Sequence, residues 1–107
     1  MERKIKYICN AARWFDKVNG NTYHSVRIIR VKDNKVIVSP LQYGYGNHYE
    51  QTALELMAAN KWLPVKYRGH TDSGSPLAYM YARENNYPIH WVVSDGLKRD
   101  CVANGII

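Results

Sequence analysis

The chain has 107 residues and a formal net charge of +6, and 46% of its residues are hydrophobic against 22% charged. This composition excludes a disordered chain, and the length allows one domain with its own core without metal or disulfide staples. No apolar run approaches the roughly 20 residues that a membrane-spanning helix needs. We therefore expect a single domain over residues 1–107 that is not a membrane protein.

The first residues, MERKIKYICNAARW, begin with basic side chains but contain no uninterrupted apolar region and no clean cleavage site. We therefore expect no secretory signal and an intracellular, cytoplasmic location. Cys9 and Cys101 are expected to be free thiols packed as small hydrophobes, because disulfides are rare in that compartment. No CxxC or HxxxH spacing is present, and we expect neither a metal site nor a cofactor.

The net positive charge is concentrated in the first 40 residues. This part holds nine Lys or Arg against three acidic residues, whereas residues 41–107 hold six of each. We therefore expect one basic face on the N-terminal part, which suits nucleic acid or an acidic protein surface. The alternative is that these cations only solubilise strands that expose one face.

Residues 13–31 read RWFDKVNGNTYHSVRIIRV, with an Asn-Gly pair between two runs of β-branched and aromatic residues. This pattern predicts a β-hairpin, because both central residues of a type I′ turn need φ > 0. A strict two-residue loop would pair Asp16 with Tyr23 and Trp14 with Ser25.

Both faces of this hairpin are partly apolar. One face collects Tyr7, Cys9, Ala11, Phe15, Val26 and Ile28, and the other collects Ile8, Ala12, Trp14, Tyr23, Ile29 and Val31. The second face is too apolar to be wholly solvated. Either something covers both faces in part, or a bulge near Asn10 or Arg13 shifts the register.

A second tight turn at residues 32–35 leads into a third strand over residues 36–39, which completes an antiparallel meander. Pro40 either ends this strand or marks it as an edge strand, because proline cannot donate to a ladder. Apolar spacing then predicts a helix over residues 49–60. Asn47 and Glu50 resemble a capping box at its start.

The remaining residues predict further short elements. Residues 65–68 are expected to form a short strand, and residues 76–85 a helix that begins after an N-cap at Ser75. Residues 89–93 predict a largely buried strand, and the tail is either a short helix or a returning strand. Together these elements predict an α+β domain, with an antiparallel sheet of three to five strands and two helices packed on one face.

The loop at residues 69–75, GHTDSGS, contains a histidine, a carboxylate and hydroxyls, the ingredients of acid–base or nucleophilic catalysis. The strand–turn–helix context of a nucleophile elbow is absent, so Asp72 and the serines are better explained as loop and capping residues. An enzyme that uses His70 and Asp72 is therefore only a third hypothesis, and no catalytic residue is predicted.

The loop at residues 41–48, LQYGYGNH, is rich in glycine and aromatic residues. It enters a helix N-terminus, as phosphate-binding loops do, but it has neither a P-loop lysine nor a GxGxxG spacing. We predict Tyr43, Tyr45 and His48 as binding residues, since loop tyrosines suit protein interfaces and also stack on unpaired bases. The alternative is that one or two of the tyrosines cap the core.

Basic and aromatic residues of the hairpin form a second candidate surface. Trp14, Tyr23 and Arg27 share the surplus apolar face, where we first expect a partner, and Arg30 points to the opposite face of the second strand. A basic arm precedes the hairpin, with Arg3, Lys4 and Lys6. This composition fits nucleic-acid binding by phosphate contacts and stacking. No RNP, KH, zinc-finger or helix-turn-helix signature is present.

The segment WFDKVNGNTYHSVRI, residues 14–28, resembles one found in small uncharacterised phage-encoded proteins. The resemblance implies no activity, but small phage proteins often act stoichiometrically on host machinery. We therefore expect a non-enzymatic binding protein in an infected bacterial or archaeal cell. Its partner would be a host protein or nucleoprotein complex with an acidic surface, for example a nucleic-acid-handling or defence complex, which it would inhibit by steric occlusion.

Direct binding of nucleic acid through the basic hairpin and tyrosine stacking is the alternative function. No membrane partner is expected. A homodimer stays open, because the sequence does not identify the oligomeric state.

Overall fold

The structure is a computed structural model that describes residues 4–44 and 46–106. In these ranges, β-branched and aromatic residues form a four-stranded sheet. The elements are β1 (Tyr7–Asp16), β2 (Asn21–Arg30), β3 (Lys35–Tyr43), α1 (His48–Ala59), α2 (Ala78–Glu84), β4 (Ile89–Asp95) and α3 (Lys98–Asn104). The strand order is β3-β2-β1-β4. The predicted α+β class is confirmed.

The hairpin of β1 and β2 forms where it was predicted, but the predicted register is wrong by two residues. Asp16 pairs with Asn21 and Trp14 with Tyr23, so the loop has four residues instead of two. Side chains alternate along a strand with a period of two, and a shift of two residues therefore leaves every side chain on its predicted face.

The side chain of Asp16 explains the wider loop. Its carboxylate accepts hydrogen bonds from the backbone N–H groups of Val18 and Asn19, and from the Asn19 side-chain amide. Gly20 then takes a φ of +70° and donates its N–H to the Asp16 carbonyl oxygen. Only one residue of this loop has a positive φ, so it is not the predicted type I′ turn.

Helices cover both faces of the sheet. The first face packs against α1 and α2, and its core contains Cys9, Ala11, Val26, Ile28, Ala53, Leu54, Met57, Ala78 and Tyr81. The second face receives α3, which contacts β1, β2 and β3. The expectation of two helices on one face therefore holds for α1 and α2, and α3 adds a third layer.

The cover by α3 also decides between the two explanations of the apolar second face. Pairing between β1 and β2 runs without a break from Tyr7 and Arg30 to Asp16 and Asn21, so no bulge lies near Asn10 or Arg13. A helix formed by the chain's own tail shields part of this face, and the helical alternative for the tail is the correct one.

The irregular pairing lies instead between β2 and β3. Val26 pairs with Ser39 but His24 pairs with Gln42, so β3 has one residue more than β2 across this step. Pro40 lies in this bulge, and β3 continues past it as an edge strand. The edge interpretation of Pro40 is therefore correct, since a bulge on an edge tolerates the missing N–H.

The fourth strand differs from expectation in direction and burial. β4 runs parallel to β1, with Tyr7 opposite Ile89, so the sheet is mixed and not wholly antiparallel. Ile89 is buried, whereas Val92 and Val93 are exposed, because β4 forms the other edge of the sheet. The prediction of a largely buried strand is wrong for this reason.

The segment between α1 and β4 also departs from expectation. The range predicted as a short strand contains a 3₁₀ helix, Val65–Tyr67. α2 begins at Ala78, later than predicted, and Leu77 takes the N-cap position in place of Ser75. α1 begins after Asn47 as expected, but no side-chain capping bond is formed there. No helix in the described ranges is long and apolar enough to cross a membrane.

Candidate binding surfaces

Three aromatic rings line up across neighbouring strands on the α3 side of the sheet, and we call Trp14, Tyr23 and Tyr43 the aromatic row. The rings of Trp14 and Tyr23 stack with centroids 5.5 Å apart, and Tyr43 meets Tyr23 edge-on at 5.9 Å. Trp14 and Tyr23 are half-buried, whereas Tyr43 is 56% exposed. The row therefore presents aromatic surface on a rigid sheet.

The observed register creates this row. The four-residue hairpin loop places Trp14 opposite Tyr23, whereas the predicted two-residue loop would have placed it opposite Ser25. The bulge in β3 then brings Tyr43 opposite Tyr23. Without the extra residue, alternation along β3 would turn the Tyr43 side chain to the other face.

Helix α3 adds a cation to the aromatic row. The Lys98 ammonium lies 5.4 Å from the centroid of the Trp14 ring, within the range of a cation–π contact. Hydrogen bonds from Asn19 lower the pKa of the nearby Asp16 carboxyl, and the charge of Lys98 contributes to the same shift. Lys98 was not among the predicted binding residues, since only the docking of α3 brings it here.

The two predicted arginines lie away from the row. Arg27 shares its face, but four residues along β2 separate it from Tyr23, about 13 Å. Its guanidinium donates to the Ile106 carbonyl oxygen at 3.0 Å and so holds the end of the chain on the sheet. Arg30 lies on the opposite face, bonded to Asp33 and 4.6 Å from the ring of Trp62.

His48 also lies on the opposite face from the aromatic row. Its ring centroid is 5.3 Å from that of His24, which is buried and bonded to the Gly44 carbonyl and the Thr52 hydroxyl. Burial lowers the pKa of His24. Tyr45, predicted with Tyr43 and His48, lies outside the described residues. Of the two that the structure describes, Tyr43 joins the row and His48 does not.

The histidine of the polar loop has a different partner from the one that a catalytic site would need. His70 Nε2 lies 3.0 Å from Glu55 Oε1, and both side chains are about half exposed. Asp72 is exposed in the loop and makes no ion pair with His70 among the described residues. A cavity of about 390 Å³ lies beside this pair, lined by Ala58 and Pro76.

A second cavity, of about 420 Å³, lies at the end of the sheet where β1 begins and β2 ends. We call it the basic pocket, and its lining includes Lys4, Lys6, Tyr7, Arg30, Lys32, Trp62 and Tyr81. The sequence indicated the cations of the arm and the hairpin. It did not indicate the three rings, which come from β1, from the segment after α1, and from α2.

No family model matches this chain, and no curated protein or solved structure is significantly similar to it.

Among the residues that the structure describes, no group of His, Cys, Asp and Glu is arranged to hold a metal ion. The side chains brought together at the two surfaces are aromatic rings and cations. Such groups bind by contact area, stacking and charge, and they suit acidic or planar partners. The aromatic row and the basic pocket lie at opposite ends of β1, about 23 Å apart along the strand.

Proposed function

We propose that this protein is a non-enzymatic binding protein of the phage type that its hairpin resembles. It engages a host protein or nucleoprotein complex with an acidic surface, in the cytoplasm of the infected cell, and inhibits it by steric occlusion. The observation that carries the proposal is the aromatic row, with Tyr43 exposed and Lys98 beside Trp14.

The chemistry of the row supports a protein partner. Tyrosine and tryptophan bring large contact areas and lose little conformational entropy on binding, and they dominate the energetic centres of protein interfaces. Trp14 and Tyr23 are already held by their stack, so little further ordering is needed. Lys98 favours a partner with carboxylates near the contact, because opposite charges speed association.

The proposal is tested by affinity capture from a bacterial host lysate with three forms of the protein. Wild type should retain a partner that Tyr43→Ala loses. Tyr87→Ala is the matched control, since Tyr87 is also 56% exposed but lies after α2, outside the row. Equal capture by all three forms would count against the aromatic row, and a capture that nuclease treatment abolishes would indicate that the row contacts nucleic acid.

The purified partner then gives the quantitative test. Loss of the Tyr43 side chain should weaken binding by about 1–2 kcal/mol, or roughly five- to thirtyfold in Kd. Lys98→Gln should act mainly on the association rate and should reduce its dependence on salt. A second copy of this chain could bind the aromatic row instead of a host partner. Sedimentation of wild type and Tyr43→Ala without a partner tests whether a dimer forms through the row.

Direct binding of single-stranded nucleic acid is a second candidate, favoured by the stack of Trp14 and Tyr23 beside Lys98. Rings on a sheet accept bases by stacking, with little sequence preference. Fluorescence anisotropy with single- and double-stranded DNA and RNA separates the two candidates. Micromolar binding at physiological salt, with a steep salt dependence and a loss on Tyr43→Ala, would replace the protein partner with nucleic acid.

A further inference from the structure

The basic pocket gathers four cations at one end of the sheet. Lys4 and Lys6 lie just before β1, Arg30 ends β2, and Lys32 lies in the following turn. The Val31 N–H donates to the Lys6 carbonyl oxygen at 3.0 Å, and this bond joins the segment before β1 to the segment after β2. The exposed side chains of Lys4, Lys6 and Lys32 therefore lie together along the lining of one cavity.

Only part of this charge is neutralised. The carboxylate of Asp33 accepts two hydrogen bonds from Arg30, at 3.1 and 2.7 Å. These bonds, helped by the Lys35 N–H, lower the pKa of Asp33 to about 2, so it is ionised at neutral pH. Lys4, Lys6 and Lys32 make no ion pair within the described ranges. The pocket therefore keeps an excess of positive charge.

The other wall of the pocket is aromatic. The rings of Tyr7 and Trp62 stack with centroids 5.8 Å apart and an interplanar angle of 19°. Tyr81 meets Tyr7 edge-on at 6.5 Å, and Arg30 lies over Trp62. Tyr7 and Tyr81 are buried, whereas Trp62 is only partly buried, so Trp62 is the ring that a planar ligand can reach, beside Arg30 and next to the lysines.

We propose that the basic pocket binds a nucleotide, with the phosphates on Lys4, Lys6 and Lys32 and the base against the aromatic wall. The lysines supply point charges for phosphate oxygens, and the rings supply the stacking that a base prefers. A volume of about 420 Å³ suits a small ligand. The ligand is a free nucleotide or the phosphorylated terminal nucleotide of a nucleic acid, since both present the same chemistry.

This inference does not rest on the proposed function, because the pocket and the aromatic row lie at opposite ends of β1. Failure at one surface leaves the other untouched. An acidic peptide would also be attracted by the lysines, but it would leave the aromatic wall unused. The nucleotide is therefore the ligand that uses both walls.

The binding test is isothermal titration of the full chain at low salt with ADP, adenosine, inorganic phosphate and a glutamate-rich peptide. ADP should saturate with a Kd below about 1 mM and bind about tenfold more tightly than the other three. The indole N–H signal of Trp62 in an NMR spectrum should shift with ADP. Phosphate or the peptide binding as tightly as ADP would overturn the proposal, and so would the absence of saturation with ADP.

Charge variants test the site. Lys6→Gln combined with Lys32→Gln should weaken ADP binding about tenfold or more. Lys17→Gln is the matched control, because Lys17 is an exposed lysine in the hairpin loop at the far end of the sheet. Asp33→Asn should strengthen binding about threefold, since it releases Arg30 while an asparagine keeps the turn. Unchanged affinity in the Lys6→Gln, Lys32→Gln double variant would overturn the assignment, and so would an equal loss in Lys17→Gln.

The source of the nucleotide is separated with two oligonucleotides of one sequence, one with a 5′-phosphate and one with a 5′-hydroxyl. Preference for the phosphorylated form, with displacement by ADP, assigns a nucleic-acid end to the pocket. Binding of ADP with no such preference assigns a free nucleotide. Equal binding of both oligonucleotides, combined with no binding of ADP, would overturn the proposal.

Discussion

The hydroxyl of Ser25 donates a hydrogen bond to the carbonyl oxygen of Cys101, which joins β2 to α3 across 76 residues of sequence. Both residues are fully buried. The side-chain amide of Asn104 adds a hydrogen bond to the Asn10 carbonyl oxygen at 3.0 Å. These polar contacts position α3 on the sheet, and α3 in turn carries Lys98 to the aromatic row.

Gly105 sets how closely α3 approaches the sheet. A Cβ at this position would lie 2.8 Å from the Ser39 carbonyl oxygen and 2.8 Å from the Pro40 Cα, atoms of the backbone that cannot swing away. We expect Gly105→Ala to lower the free energy of unfolding by about 1–3 kcal/mol, because α3 must shift outward. Urea unfolding followed by circular dichroism measures the loss.

Gly96 provides the control for this variant. A Cβ there would meet only the Asp100 carboxylate at 3.7 Å, an ordinary contact. Gly96→Ala should therefore leave the free energy of unfolding within about 0.5 kcal/mol of wild type. Equal losses for the two variants would show that the close approach of Gly105 does not limit the packing of α3.

The two thiols should be unreactive in the folded protein. Both are buried and free, and burial raises the pKa of Cys9 to about 12 and also raises that of Cys101. Little thiolate is therefore present at neutral pH. Ellman's reagent should react slowly with native protein and should titrate two thiols at once in guanidinium chloride.

Loosening α3 should expose one thiol selectively. Asn104→Ala removes a bond between α3 and β1, so Cys101 should react several-fold faster while Cys9 stays protected. Asn85→Ala is the matched control, since the Asn85 side-chain amide donates to the Tyr81 carbonyl oxygen of the helix that it ends. Acceleration at Cys9 instead of Cys101 would contradict this prediction.

Acid should destabilise the fold through His24. Its Nδ1–H donates to the Gly44 carbonyl oxygen, and in the neutral ring Nε2 accepts from the Thr52 hydroxyl. Burial lowers the pKa of His24, with a smaller contribution from His48, so the unfolded chain binds the proton more readily. This contribution to stability is constant above about pH 6.5 and falls below it, by at most about 1.4 kcal/mol per pH unit.

Urea unfolding at pH 5 and pH 8 measures this effect, and the ring proton signals of the histidines in NMR spectra give the pKa directly. His90→Gln is the matched control, because it removes an exposed histidine of β4 and leaves His24 in place. A His24 signal that titrates above 6.5 would refute the assignment of a neutral buried ring.

The hairpin loop should tolerate asparagine but not alanine at Gly20. Its φ of +70° lies in the left-handed region, and no atom lies within 4 Å of a Cβ added there. The cost of a substitution is therefore conformational. Gly20→Ala should lower the free energy of unfolding by about 1 kcal/mol and Gly20→Asn by less, since asparagine visits this region more readily. Equal losses in thermal melts would indicate a different loop geometry.

Local chemistry in the sequence was enough to predict the hairpin, the first helix, the α+β class and the alternation of faces. The Asn-Gly pair marked the loop, although the Asp16 carboxylate made it two residues wider. The parallel pairing of β4 with β1 could not be predicted from the sequence, because it depends on the path that the segment between α1 and β4 takes back to the sheet. An apolar run such as IHWVV fits an edge and an interior strand equally well.

The sequence by itself determined which residues share each face of the hairpin, because the period of a strand is two and survives a shift of two residues. It also determined that cations gather in the first 40 residues. Only the tertiary structure decided that Tyr43 joins Trp14 and Tyr23, since this needs the bulge at Pro40. It likewise decided that Arg30 lies over Trp62, because a cation and a ring 32 residues apart in sequence come into contact only when the chain has folded.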